Sequence, residues 1–72
     1  MTRHPGTTAL LRWFEYDHLP ARLQEVSEPI HRLAHQMVDR LPDSAELTAG
    51  LRKLLEAKDC LVRASIDVQQ PE

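Results

Sequence analysis

Apolar residues recur every three or four positions along two long stretches of the chain, the spacing that places side chains on one face of an α-helix. We predict a first long helix over residues 20–41 and a second over residues 44–66. The apolar stripe of the first consists of Leu23, Val26, Ile30, Leu33, Ala34, Met37, Val38 and Leu41. That of the second consists of Leu47, Leu51, Leu54, Leu55, Leu61, Val62 and Ile66. Because the turn between them is short, the two helices are expected to form an antiparallel hairpin.

Prolines punctuate this pattern. Pro42 marks the end of the first long helix. Asp43, followed three residues later by Glu46, has the pattern of a capping box for the second helix. Pro29 lies inside the first long helix and removes one of its hydrogen bonds. We therefore expect either a kink near Pro29 or a restart of the helix capped by Ser27.

Shorter segments flank the hairpin. Residues 8–16 are predicted to form a short helix, with Thr7 or Thr8 as its cap. Residues 1–7, which include Pro5 and Gly6, and residues 67–72 are expected to be flexible tails. The predicted fold is thus a single all-α domain over residues 1–72, with a short N-terminal helix followed by a two-helix antiparallel hairpin.

The core of such a hairpin is expected to be too small for a stable monomer. Ordering 72 residues costs about as much free energy as their apolar burial supplies. Cys60 is the single cysteine, so no internal disulfide can form. His31 and His35 have the spacing of metal ligands, but two ligands alone make no site, so no metal is expected. Assembly into a symmetric homo-oligomer is the remaining route to stability.

Small residues on the second long helix offer a place for such a contact. Gly50, Ala57 and Ala64 recur every seven positions beside the leucine stripe. Small side chains at this spacing let another backbone approach closely, and glycine is otherwise costly inside a helix. The alternative is that alanine is present here as a good helix former.

Composition and charge argue against several classes of function. The net charge is −2, with nine Lys and Arg interspersed among eleven Asp and Glu. Proteins that bind DNA or RNA polymers need a strong basic field, so no such partner is expected. No apolar run approaches the roughly 18 residues of a membrane span, and no signal-peptide pattern is present. We therefore expect no membrane partner, and with a free thiol we expect a cytoplasmic location.

Three aromatic residues lie within four positions. Trp13, Phe14 and Tyr16 directly precede the N-terminus of the first long helix. Unpaired N–H groups at a helix N-terminus attract anions, and aromatic faces stack on nucleobases, so this segment could hold a nucleotide. Alternatively, the large side chains close the open end of the hairpin, which is the interpretation we favour for Phe14.

Lys58 interrupts the apolar stripe of the second long helix. A lysine in such a position must reach solvent, pair with a carboxylate or bind an anion. Either the stripe opens to solvent at this level, or Lys58 points into a pocket between protomers. Arg52, Lys53 and Arg63 lie on the remaining faces of the helix, where charged side chains are usually solvated.

Side chains arranged for catalysis are not recognisable in the sequence. Cys60 has no histidine close to it, and no Ser/His/Asp arrangement appears. We therefore expect neither an enzymatic activity nor a cofactor.

Four segments between residues 14 and 64 carry a resemblance to a known family. They are FEYDHLP (14–20), LQEVSEP (23–29), LRKLLEAKD (51–59) and VRA (62–64). They resemble a family of small phage and prophage proteins that share a hairpin domain with phage anti-CBASS and anti-Thoeris sponge proteins. The resemblance implies a non-catalytic protein that forms symmetric helical oligomers, hexamers in the anti-CBASS branch. Such proteins sequester the cyclic nucleotide signals of bacterial immunity.

The resemblance also implies ligand classes and residues. The ligands would be cyclic dinucleotides, cyclic trinucleotides or cyclic ADP-ribose isomers. In the anti-CBASS branch a tyrosine near the N-terminus stacks on the bases, and Tyr16 matches it. A lysine on the first long helix holds the phosphates there, but Lys53 and Lys58, the two lysines of this chain, are both on the second.

From the residues and the resemblance together, we predict non-catalytic sequestration of a cyclic nucleotide, which would counter bacterial anti-phage defence in the host cytoplasm. Aromatic and histidine side chains would stack on bases, and cations would contact phosphates. The predicted ligand-binding residues are Tyr16, Trp13, His18, Arg52, Lys53, Lys58 and Arg63. The alternative is a small helical module that binds another protein through an exposed apolar stripe and has no nucleotide ligand.

Overall fold

Three α-helices make up the described part of the chain. The computed structural model describes residues 5–69, with side chains through residue 66, and it contains no strand within that range. The helices are α1 (Pro5–Arg12), α2 (Ala21–Arg40) and α3 (Ala45–Gln69). The short segment 41–44 joins α2 to α3, which pack against each other as a hairpin, and α1 also packs on α3. The prediction of an all-α fold is confirmed, whereas assembly into a homo-oligomer stays a prediction.

A small apolar core lies between α2 and α3. It contains Ala34 and Val38 of α2, Leu47 and Leu51 of α3, and Phe14, which is 0% exposed. Partly buried side chains pack around it, namely Leu10, Leu11, Ile30, Leu54 and Leu55. Phe14 is therefore a core residue, as the favoured interpretation required, but it clusters with the turn-side halves of α2 and α3 and not with the open end of the hairpin. A fully buried phenylalanine contributes about 2–3 kcal/mol, so this one side chain is a large part of a core of this size.

The predicted bounds of the first helix, 8–16, were wrong by several residues, because α1 is Pro5–Arg12. Pro5 occupies the first helical position, where its missing N–H costs nothing. Thr7 is buried within the helix rather than capping it. Residues 5–7 of the predicted tail are therefore helical, while residues 1–4 lie outside the described part of the chain.

Tight turns end α1 earlier than predicted. The N–H groups of residues 13, 14 and 15 each donate to the carbonyl three residues back, at 3.1–3.3 Å. Such three-residue hydrogen bonds tighten the last turn of a helix and often terminate it. Residues 13–20 consequently form a loop between α1 and α2, and we call this segment the aromatic loop.

The helix α2 runs without interruption through Pro29. A restart capped by Ser27 is therefore wrong: Ser27 is buried in the middle of the helix, and its hydroxyl has no hydrogen-bond partner among the described residues. Pro29 is on the exposed side, where water can solvate the carbonyl that lacks its N–H partner. The predicted range of 20–41 agrees with the observed helix to within one residue at each end, and a kink near Pro29 stays a prediction.

The helix α3 begins one residue later than predicted and is capped by Ser44. The N–H of Leu47 donates to Oγ of Ser44 at 3.0 Å, which is the bond between an N-cap residue and the third residue of its helix. Asp43 was therefore wrong as the cap, because it precedes the N-cap position. Residues 67–69 of the predicted tail belong to α3, and residues 70–72 lie outside the described part.

The cap assignment can be checked by two substitutions at one position. Replacing Ser44 by alanine removes the acceptor and should lower the free energy of unfolding by about 1 kcal/mol. For a chain of this size that lowers Tm by about 4–8 °C in a thermal unfolding experiment. Ser44→Asp restores an acceptor and places a negative charge at the helix N-terminus, so it should keep the wild-type Tm. Equal losses in both variants would contradict the assignment.

Candidate functional site

An open groove of about 440 Å³ lies where the aromatic loop meets the C-terminal half of α3. One side is formed by Arg12 at the end of α1 and by Trp13, Glu15, His18 and Leu19 of the aromatic loop. The α3 side is formed by Lys58, Asp59, Val62 and Arg63. We call it the Trp13 groove. Its volume lies within the range of small-molecule binding sites. Four of the seven predicted ligand-binding residues line it, although they come from two separate parts of the sequence.

Trp13 is the most unusual side chain of the groove because it is 65% exposed. The turn that ends α1 directs its neighbour Phe14 into the core and leaves Trp13 on the surface. Tryptophan is enriched at interfaces, because it combines a large apolar surface with a polar N–H group. The indole face is therefore available for stacking by a planar ligand.

Lys58 reaches the groove from the apolar stripe of α3. Its side chain is only 15% exposed, and its Nζ lies 3.0 Å from Oδ1 of Asp59. The aliphatic stem is thus covered while the ammonium group meets a half-exposed carboxylate at the edge. Lys58 thus lines a groove formed by a single chain, and a pocket between protomers stays a prediction.

The charge of the groove is mixed, with a cationic excess. Three cationic side chains line it, Arg12, Lys58 and Arg63, against the carboxylates Glu15 and Asp59. An anionic group that binds there must share Lys58 with Asp59. The two carboxylates are acceptors, so they suit a ligand that carries N–H donors as well as negative charge.

The sequence did not single out Arg12, Glu15 and Asp59 as parts of the site. Each of them is nevertheless adjacent to or near a predicted residue: Arg12 precedes Trp13, and Asp59 follows Lys58. Charged residues flanking an aromatic cluster were the available signal. What the sequence did not indicate was that α1 packs on α3, which brings these two segments together.

Three predicted site residues lie outside the Trp13 groove. Arg52 borders a separate depression near the hairpin turn, together with Asp43 and Thr48. Lys53 is exposed on α3 and does not line the groove. Tyr16 is half-buried and faces α2. The structure therefore does not bring all seven residues into one pocket within a single chain.

Tyr16 is part of a row of rings along α2. Its ring centroid lies 5.0 Å from that of His31 in an edge-on arrangement, and the centroids of His31 and His35 are 4.4 Å apart. Among the side chains of residues 5–66, no group of three or more His, Cys, Asp or Glu is placed to hold a metal ion. The row is thus an aromatic contact between the loop and α2.

Arg32, on the same helix, is paired with a carboxylate of its own helix. Its guanidinium donates from Nε to Oε2 of Glu28 at 3.0 Å, and a second bond joins its NH2 group to the other carboxylate oxygen. These bonds hold the pKa of Glu28 below its ordinary value and raise the pKa of Arg32. Arg32 is therefore already committed to a partner on its own helix.

A second groove, of about 480 Å³, lies at the opposite, hairpin-turn end and is apolar. It is lined by Leu33, Met37, Leu41, Pro42, Ser44, Glu46, Leu47, Gly50, Leu51 and Leu54. We call it the apolar groove. Leu33 and Leu41 remain 42% and 46% exposed there. A Cβ built on Gly50 meets nothing within 4 Å, so the close packing predicted for this glycine is not made within the chain.

Comparison with known proteins adds no further assignment. A scan against protein-family models finds none that matches the chain, and searches among curated proteins and among solved structures find no similar protein. The resemblance to the sponge family therefore stays a prediction. Separately, none of the helices within residues 5–69 is long and apolar enough to cross a membrane.

The position of Lys58 predicts that its charge is dispensable for folding. In Lys58→Met the covered aliphatic stem is kept, and only an ion pair with the half-exposed Asp59 is lost, which contributes little. The free energy of unfolding measured in urea should therefore stay within about 0.5 kcal/mol of the wild-type value. A loss well above that value would mean that Lys58 is a structural residue and not one kept for a ligand.

Proposed function

We propose that this protein sequesters a cyclic nucleotide signal of bacterial immunity in the host cytoplasm and thereby counters anti-phage defence. The observation that supports the proposal best is the Trp13 groove, where an exposed indole stands opposite Lys58 and Arg63. An aromatic face beside cations suits a ligand with both bases and phosphates. The family resemblance supplies the cyclic nucleotide class, which the groove alone does not specify.

The groove offers a role for each of its polar side chains. A base would stack on Trp13, with His18 beside it, and phosphate oxygens would accept hydrogen bonds from Arg63, Arg12 and Lys58. Arginine binds phosphate through two parallel N–H groups, which adds geometric selectivity. Glu15 and Asp59 would accept hydrogen bonds from N–H groups at the base edge.

The make-up of the groove favours binding without turnover. The nine described residues that line it include no serine, threonine or cysteine that could act as a nucleophile. His18 is the one histidine that lines the groove, and histidine is the residue type most often used for proton transfer in catalysis. A single histidine without a hydroxyl or thiol nucleophile is a poor catalytic arrangement. Sequestration requires only binding, with no bond made or broken.

Titration with a panel of ligands tests the proposal directly. We expect one of the cyclic dinucleotides, cyclic trinucleotides or cyclic ADP-ribose isomers to raise Tm in a thermal-shift assay. At a concentration of about 100 Kd, binding to the folded state adds about 2.7 kcal/mol. For a chain of this size, that corresponds to an increase in Tm of at least about 10 °C. No stabilisation by any member, in protein shown to be folded, contradicts the proposal.

Two lysine variants then locate the site. Lys58→Met removes a hydrogen bond to phosphate, so this variant should bind the ligand at least about tenfold more weakly than the wild type. Lys53→Met removes the same charge from the same helix outside the groove, so equal losses in both variants would exclude the groove as the site.

A Tyr16→Ala protein that binds normally would remove Tyr16 from the site. Recovery of intact ligand after denaturation distinguishes a sponge from a hydrolase.

The proposal includes a symmetric homo-oligomer, and we propose the apolar groove as the surface that a second copy of the chain covers. The core described above buries few side chains, so a stable fold needs further apolar burial. The exposed Leu33 and Leu41 provide it. Gly50 lies open on the same surface, where a helix of a second copy can approach closely. In the anti-CBASS branch of the family that the chain resembles, such assemblies are hexamers.

Sedimentation of two matched leucine variants tests this contact. Leu33→Gln places a polar group in the apolar groove and should shift the protein towards smaller species. Leu61→Gln changes a leucine that is 51% exposed but lies outside that groove, so its oligomeric state should be that of the wild type. Dissociation by Leu61→Gln alone would place the contact elsewhere on α3.

The alternative function, a helical module that binds another protein, is favoured by the same apolar groove. It predicts a wild-type protein that is monomeric, captures one partner in a fixed ratio and is not stabilised by any cyclic nucleotide. The sedimentation and titration experiments therefore separate the two functions.

A further inference from the structure

Two side chains of α2 hold the aromatic loop by its backbone carbonyls. Gln24 donates from Nε2 to the carbonyl of Leu19 at 2.8 Å, with a longer contact of 3.4 Å to that of Asp17. His31 Nδ1 lies 3.0 Å from the carbonyl of Phe14. A carbonyl oxygen only accepts hydrogen bonds, so in both cases the side-chain nitrogen must be the donor. The loop is therefore fastened near both of its ends.

The two fastened carbonyls are next to the residues that face the Trp13 groove. Phe14 directly follows Trp13, and Leu19 directly follows His18. Gln24 and His31 are seven residues apart on α2, which separates the two anchors by about 10 Å along the helix axis. Because α2 is a continuous helix between them, it sets the distance between the two ends of the loop.

We propose that Gln24 and His31 are positioning residues, which hold the aromatic loop so that Trp13 and His18 face α3 across the groove. Neither side chain lines the groove itself. His31 contributes twice, because its ring also contacts Tyr16 edge-on. Within the loop, the N–H of Leu19 donates to the carbonyl of Tyr16 at 2.9 Å, so the turn that carries His18 is fastened both internally and to α2.

The hydrogen bond of His31 does not depend on its charge. The Nδ1 atom carries a proton in one neutral tautomer and in the imidazolium form, and both can donate to Phe14. The anchor needs only an N–H group at that point in space. The amide nitrogen of asparagine occupies a similar position, so His31→Asn is the substitution expected to preserve the bond, and His31→Leu removes it.

The consequence for binding rests on the proposed function, but the anchoring itself does not. A loop that is already ordered loses less conformational freedom when a ligand binds. Loosening it should therefore weaken ligand binding by roughly three- to tenfold while every residue of the groove is still present. Global stability should change less, since neither Gln24 nor His31 belongs to the buried core.

Fluorescence of Trp13, the single tryptophan of the chain, measures the loop directly. We would compare its anisotropy decay in Gln24→Met and His31→Leu, without any ligand. Both variants should give a larger fast component, which reports greater local motion of the indole. His31→Asn keeps the hydrogen bond and loses the ring contact with Tyr16, so its fast component should be smaller than that of His31→Leu. Gln36→Met, which removes an exposed amide from the same helix, is the matched control and should leave the decay unchanged.

These outcomes test the anchoring of the aromatic loop separately from ligand binding. Unchanged Trp13 motion in folded Gln24→Met and folded His31→Leu overturns the inference, whether or not a nucleotide binds. Increased motion in both variants supports it even if no cyclic nucleotide binds the wild type, a result that would contradict the proposed function alone. If one of the two variants fails to fold by circular dichroism, the other decides. If a ligand of the wild-type protein is identified, a variant with increased Trp13 motion but an unchanged Kd for that ligand overturns the positioning role.

Discussion

Burial of Phe14 is the interaction on which the rest of this structure depends. The core between α2 and α3 is small, and Phe14 is its largest fully buried side chain. It comes from neither helix of the hairpin but from the loop that follows α1. Once Phe14 is inserted, the backbone on either side of it has little freedom. Trp13 is held on the surface, and α1 is brought against α3. The groove is thus a geometric result of how the core is filled.

The hairpin could be predicted because the patterns that indicate it lie within short stretches of the sequence. The apolar spacing predicted the bounds of α2 and α3 to within a few residues, and Pro42 indicated the turn between them. The short helix was predicted less well. Its sequence has only two leucines before the aromatic cluster, so periodicity did not separate a helix that ends at Arg12 from one that continues through Tyr16. The hydrogen bonds that end it, between residues 10–12 and 13–15, form a tight turn with no proline or glycine to indicate it.

The site was predictable in its residue types more than in its arrangement. Lys58 interrupted an apolar stripe and Trp13 belonged to an aromatic cluster, and both line the groove. Tyr16 belonged to the same cluster, but it packs against His31 instead. Arg52 and Lys53 were chosen for their charge alone, and they lie elsewhere on α3. Anchors such as Gln24 and His31 act through backbone carbonyls, which no pattern of side chains in the sequence indicates.

The helix α3 has two tasks, one in each of its halves. Its N-terminal half supplies Leu47 and Leu51 to the core, and its C-terminal half supplies Lys58 and Arg63 to the groove, while α1 packs along it. Substitutions on α3 therefore tend to affect folding and surface chemistry together. The solvent-facing side of α2 contributes neither to the core nor to the Trp13 groove. Among descendants of this sequence, that side is where neutral drift should accumulate fastest, and α3 is where paired, compensating changes should be found.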